Sequence, residues 1–339
     1  MSDPKRPPYF PPPTPKPAKV AIFARMPPAV FPSIMGAFGI GLAWRAYAIS
    51  FAKEPIISEF LLGATSLLFL FTLLAYASKV VRRPGVVLDE LKVLPGRAGM
   101  AAGSLCIALM AVTLVPYAPS VARIVLGLAI SSHVALALLI VWVFANGPPE
   151  QRQVTPVWHL SFVGFIVLPL SAIPLGYLAF AQITFLATVL AAFVIYAISI
   201  GQMIRRDPPP PLRPLLAIHL APVSLFATVS ILFGYPQIAL ASASLATLVL
   251  ALLLLKTRYL VAAGFSPLWG AFTFPLAAYT GMLLTLGGMG LGPLYGDVAR
   301  VAGVCLLVAG SGLIGYILYR VLKMWAKGTL AAKTNAATA

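Results

Sequence analysis

PLWGAFTFPLAAYTG, residues 267–281, is apolar enough to lie in lipid, yet it places Pro275 near its middle, directly after Phe274, and closes on Gly281. A helix that only anchors a protein in a membrane has no use for an interior proline. Proline removes one helical hydrogen bond and costs about 3 kcal/mol in a regular helix. The stretch therefore reads as a membrane helix interrupted beside an aromatic ring.

Around it the whole chain is of the same kind. Of 339 residues, 60% are hydrophobic and 9% charged, and the mean hydropathy is +0.96. No soluble core needs that excess, so the fold class is an all-α polytopic membrane protein. Ten apolar stretches of spanning length occur, at 29–50, 57–79, 98–115, 120–145, 156–174, 176–203, 212–233, 237–255, 267–287 and 299–322. Very short connections, such as that at 233–237, force neighbouring spans into antiparallel hairpins. The net charge of +16 would suggest nucleic acid on a soluble domain, but here the basic residues flank the apolar segments. Of the 24 Lys and Arg, only Arg45, Lys53, Arg123 and Arg300 fall on one side of the alternating loops. By the positive-inside rule both termini are cytoplasmic, and a missed span would scramble that pattern. Residues 1–28 read as a disordered Pro-rich basic tail without a signal peptide, 29–325 as the membrane domain and 326–339 as a cytoplasmic tail.

The absences narrow the function. The eight acids are Asp3, Glu54, Glu59, Asp89, Glu90, Glu150, Asp207 and Asp297, and none lies deep in a span. Intramembrane carboxylates serve proton- and cation-coupled transport, so such transporters and acid-lined cation channels are disfavoured. Clustered Asp for a Mg²⁺-dependent intramembrane enzyme is missing too, and no enzyme is expected. Cys106 and Cys305 sit in apolar runs and read as small buried hydrophobes, so no metal or other cofactor is expected. Gly310 to Gly315 matches G-x-G-x-x-G only by letter, inside a span. Helix packing by small residues accounts for it.

Interior prolines fall in odd-numbered spans: Pro169 in the fifth, Pro222 in the seventh, Pro275 in the ninth, with Pro32 in the first turn of the first. A carbonyl freed by proline in a membrane must face protein, water or a cavity. Odd spans thus form an inner ring and even spans an outer one, and the prolines read either as packing kinks or as markers of a central path. Phe274 alone reads as a packing aromatic or as a plug.

Three stretches carry a family resemblance. Leu268-Trp269 followed by Ala271-Phe272-Thr273-Phe274-Pro275-Leu276-Ala277 resembles an LW…AFSFGLA pattern. Pro211-Leu212-Arg213 with Ile218-His219-Leu220-Ala221-Pro222 resembles P-x-F-R…I-x-L-A-P, and Phe31 through Trp44, with Gly36, resembles an opening helix. All three belong to the tellurite-resistance/dicarboxylate transporter (TDT) family, which includes the bacterial TehA proteins and the slow anion channels of plant guard cells. The resemblance covers about 28–325. It implies five helical hairpins around a central pore, a homotrimer in a bacterial inner membrane, and a phenylalanine gate at the position of Phe274. Small anions are the implied substrates. Export of C4-dicarboxylates, sulfite or tellurite-related oxyanions, or of lipophilic cations, is the alternative, and a non-conducting scaffold that binds partners through its tail is another.

The inner spans hold almost no cations in their middles, so anion selectivity is expected from helix-end partial charges, kinked backbone and hydroxyls. The expected lining is Ser33, Gly36, Gly103, Ser104, His159, Ser161, Pro169, His219, Pro222, Thr273 and Pro275. His133 reads as a packing group on an outer helix. His159 and His219 read either as buried neutral hydrogen-bonding groups or as titrating groups that make permeation pH-dependent. Pro275 stands where the family pattern has glycine, Leu105 and Ser161 where it has proline.

Overall fold

The computed structural model describes residues 21–290 and 292–339. Its helices, in chain order, are α1 (Phe31–Ser50), α2 (Ile56–Arg82), α3 (Val86–Lys92), α4 (Leu94–Leu114), α5 (Pro119–Asn146), α6 (Pro169–Ala172), α7 (Leu178–Arg205), α8 (Leu220–Leu232), α9 (Pro236–Leu255), α10 (Thr257–Leu260), α11 (Gly270–Gly287), α12 (Val298–Ala326) and α13 (Thr329–Lys333). Among the described residues there is no strand, and nine helices are long and apolar enough to cross a membrane. The fold is an all-α polytopic membrane fold.

The expected fifth span is not a regular helix. It runs as a π turn His159–Val163, a 3-10 turn Gly164–Val167 and the single α turn α6. Gly164 lowers helix propensity, and Pro169 supplies no N–H to a preceding turn, so an α-helix does not propagate through the segment.

Burial divides the spans by their order, odd from even. In α1, α4, α8 with its lead-in, and α11, 72–83% of the membrane-crossing residues are buried, against 17–33% in α2, α5, α7, α9 and α12. The outer helices turn Leu67, Phe71, Leu190, Phe193, Leu248 and Val308 outward. Such a surface is stable only against hydrocarbon. The inner helices approach closely through small residues. A Cβ on Gly36 would stand 2.2 Å from Thr273 Cβ, and one on Gly99 would stand 2.3 Å from the Pro28 carbonyl. Because backbone cannot swing aside, Gly99→Ala should lower stability by about 1–3 kcal/mol. The check is a lower thermal midpoint in detergent, with Gly63→Ala, whose Cβ would meet nothing within 4 Å, leaving the midpoint unchanged or raised.

The prolines act differently from the expectation. Pro32 and Pro95 stand in the first turns of α1 and α4, Pro169 opens α6, and Pro222 is the third residue of α8. There the missing N–H is one the helix would not use. Within the described α-helices Pro275 is the interior one, as Pro214 is inside the 3-10 helix Pro210–His219, and α11 continues through Pro275 unbroken from Gly270 to Gly287. The sequence-based expectation of a break beside Phe274 is thus corrected: the loss is one hydrogen bond, to the Ala271 carbonyl, which the flanking turns tolerate. The departures from α geometry lie instead at the N-terminal ends of inner segments, where 3-10 helices Pro28–Val30, Pro210–His219 and Pro267–Trp269 lead into α1, α8 and α11.

Residues 1–20 of the expected tail lie outside the described residues. From Phe23 and Met26 onward the chain packs on the helical body. At the far end α13 packs through Leu330 and Ala331, and the Ala339 N–H donates to the Ala24 carbonyl at 3.0 Å. Both ends of the described chain therefore meet on one side of the molecule. Cys106 is buried as expected, whereas Cys305 is exposed on α12, because that helix turns most of its surface outward. Of the three glycines in the 310–315 stretch, Gly310 packs near Ile40 and Leu276, while Gly312 and Gly315 face open space.

Candidate permeation path

Three cavities stack along the axis of the inner ring, and every inner segment contributes to each. The first, with about 30 Å³ open to the centre of a water molecule, is lined by Ala29, Pro95, Leu160, Leu215 and Pro267 among others. The second, about 20 Å³, is lined by Met35, Leu105, His159, Pro222 and Phe274 among others. The third, about 180 Å³, is lined by Gly39, Leu109, Leu170, Thr228 and Ala277 among others. Residue numbers rise from first to third cavity in all five segments, so the inner segments run parallel and their N-terminal ends converge on the first. Leu160 and Ile218 are shared by the first two cavities. Phe274 and Leu225 are shared by the last two, and the Phe274 ring stands between them. The ring is 6% exposed. It rests on Gly39, where a Cβ would come within 3.1 Å of Phe274 Cδ2.

No acidic residue lines these walls, and the middle cavity has a single polar side chain, His159. His159 Nε2 lies 3.0 Å from His219 Nδ1, and Ser199 Oγ on α7 lies 3.0 Å from His219 Nε2. The Tyr196 hydroxyl donates to the His219 carbonyl. His219 also borders a lateral cavity of about 360 Å³ between α7 and α9, with Tyr196, Lys256 and Tyr259. Where the third cavity meets Ala46 and Val112, Arg45 forms a bidentate pair with Glu59, both contacts 2.9 Å. Its remaining donor groups reach the Val112 and Thr113 carbonyls. That charge is neutralised in place.

Of the residues expected in the lining, Phe274, His159 and Pro222 stand in these walls. The others do not, for identifiable reasons. Ser33 Oγ donates to the Val30 carbonyl (2.8 Å), and Thr273 Oγ1 donates to Gly270 (2.7 Å) and Pro32 (3.0 Å). Ser104 Oγ donates to the Ala101 carbonyl (2.9 Å) and lies 2.7 Å from His133 Nδ1, which places His133 as a packing group. Helical hydroxyls return to carbonyls three or four residues back, so they do not serve as lining. Gly36 is filled by Thr273 and Gly103 by the Phe31 ring. Ser161 is buried among packed side chains, Pro169 and Pro275 serve their helices, and His219 stands behind His159. The sequence reading missed Met35, Leu105 and Leu225. Its available signal was the stripe Pro32, Met35, Gly39, Leu42 and Ala46, spaced three and four apart on α1.

Outer helices shielding five parallel inner segments, with a row of cavities down the axis, define a channel or permease of the membrane. The chain belongs to the voltage-dependent anion channel family, whose sequence pattern matches residues 25–322. This is the same family that the first, seventh and ninth spans resemble, and its members are channels and transporters for anions, not enzymes. No curated protein matches the chain.

Proposed function

We propose that this chain is a passive or weakly gated permease for small anions and that Phe274 is its gate. The observation that carries the reading is the position of the Phe274 ring, with Leu225, between two stacked cavities, each built from all five inner segments. Converging helix N-termini at the first cavity supply partial positive charge, about half an elementary charge per helix. The absence of a fixed acid in the walls leaves nothing to attract a cation. A path without a deep arginine also releases an anion readily. The small middle cavity favours a monatomic or compact anion over a C4-dicarboxylate. By resemblance the protein is a homotrimer of a bacterial inner membrane, with both termini cytoplasmic.

In planar bilayers under a KCl gradient, wild type and Phe274→Ala should both reverse toward the chloride equilibrium potential. Reversal toward the potassium potential would eliminate the reading.

A further inference from the structure

The lateral cavity of about 360 Å³ is none of the three that stack along the axis. Tyr196, Ile200 and Met203 of α7 border it, spaced four and three apart, so they share one face of that helix. Val249, Leu252, Leu253 and Lys256 repeat the spacing at the end of α9. Two largely apolar helix faces thus look at each other across an open space. Ile200, Met203 and Leu252 are also exposed on the outer surface, so the space opens toward the hydrocarbon of the bilayer. Left empty, it would forfeit dispersion contacts along every wall.

The polar groups around the cavity are already engaged, with one exception. His219 meets His159 at Nδ1 and Ser199 at Nε2, both at 3.0 Å, and the Tyr196 hydroxyl donates to the His219 carbonyl. Asp207 accepts from Arg213 at 2.8 Å and from the Tyr259 hydroxyl, so its charge is neutralised in place. Lys256 is exposed, and its Nζ has no hydrogen bond or ion pair among the described residues. It follows Leu255, the last residue of α9, and Arg205 is the last of α7. Both helices therefore end at the mouth of the cavity. Arg206 and Arg258, next in sequence to Asp207 and Tyr259, are exposed at the same end. The recess is apolar along its length and positive at its mouth, which complements an amphiphile with a negative head.

We infer that this cavity is a binding site for an anionic phospholipid, with one acyl chain between α7 and α9 and the headgroup phosphate at Lys256. Free phosphate has no chain to fill the apolar walls. A zwitterionic lipid carries its own cation beside the phosphate and gains less from the lysine. A second copy of the chain seated on this face would bury an uncompensated charge. The inference rests on the outer helices alone and is independent of the anion path.

The full chain in detergent is equilibrated with equal amounts of phosphatidylglycerol and phosphatidylcholine of identical acyl chains, and lipid retained on the intact protein is counted by native mass spectrometry. Wild type should retain phosphatidylglycerol in preference, with one molecule held more tightly than the rest. Lys256→Gln, at an exposed position, should weaken phosphatidylglycerol binding about fivefold, the scale of one cation at a membrane surface, and leave phosphatidylcholine unchanged. Lys327→Gln, also exposed but outside the cavity, should change neither. Val249→Trp, which fills the space, should expel the tightly held molecule. Equal retention of the two lipids by wild type, or equal losses in Lys256→Gln and Lys327→Gln, overturns the inference in favour of general surface charge. Displacement of the lipid by inorganic phosphate overturns it in favour of a free anion. Crosslinking between chains carrying Leu252→Cys with Cys305→Ser overturns it in favour of a second copy.

Discussion

Phe274→Ala should raise chloride flux into proteoliposomes by about tenfold or more. The ring is nearly fully enclosed, and with Leu225 it borders both the middle and the third cavity. An anion forced past it loses its water on both sides, and desolvation of an ion in an apolar site costs several kcal/mol. Removing the ring joins spaces of about 20 Å³ and about 180 Å³, which lets water accompany the ion. Recovering only about 1.4 kcal/mol of that desolvation is a factor of ten in rate. The substitution also removes buried apolar area, so a control of matched cost is needed. Phe38 is fully buried against Phe69, ring centroids 5.9 Å apart, and borders none of the three cavities. Phe38→Ala should lower stability without raising flux. Equal flux in wild type and correctly folded Phe274→Ala would remove the gate.

The ring-within-ring architecture was legible because two independent patterns carry it. Basic residues alternate with spans for reasons of topology, and the prolines that hydropathy places inside spans, Pro169, Pro222 and Pro275, all fall in odd ones. The mechanism attached to those prolines was not legible. Pro222 and Pro169 look interior when 212–233 and 156–174 are read as single α-helices. They become first-turn residues once the 3-10 lead-ins are seen, and hydropathy does not distinguish 3-10 from α geometry. The irregular fifth segment was hidden for the same reason, although Gly164 and Pro169 were its signals. Phe274, singled out through its neighbour in sequence, and His159, singled out through its chemistry, both border the stacked cavities. The hydroxyls misled because polarity alone does not say whether a group faces a cavity or its own helix. Ser33, Ser104 and Thr273 satisfy themselves on backbone carbonyls, and the wall of the middle cavity is mostly apolar.

Glu90→Gln should destabilise the protein by about 3–5 kcal/mol, the cost of breaking a fully buried ion pair from one side. In the sequence Lys79 and Glu90 fall at and after the end of the second span, among other basic residues. In the fold both side chains are 0% exposed, 2.5 Å apart. The pair joins four parts of the chain. Lys79 Nζ, on α2, also donates to the Met26 carbonyl at 2.8 Å, and Glu90 Oε1, on α3, also accepts the Ala337 N–H at 3.1 Å. Burial pushes the Glu90 carboxyl above its ordinary range, with the Lys79 hydrogen bond and charge pulling it back only partly. Desolvation therefore outweighs what the partner returns. The pair fixes how the two terminal segments dock more than it adds net stability. Lys79→Met with Glu90→Leu should accordingly recover most of the loss seen in either single variant, since apolar replacement of a buried pair is often neutral or better. Denaturation of wild type, Lys79→Met, Glu90→Leu and the double variant in detergent closes the cycle. Single variants within about 1 kcal/mol of wild type, the range of exposed pairs, would show that this pair is solvated in the membrane. Protease should cut residues 334–339 faster in the double variant than in Glu90→Gln, because glutamine can still accept the Ala337 N–H and leucine cannot.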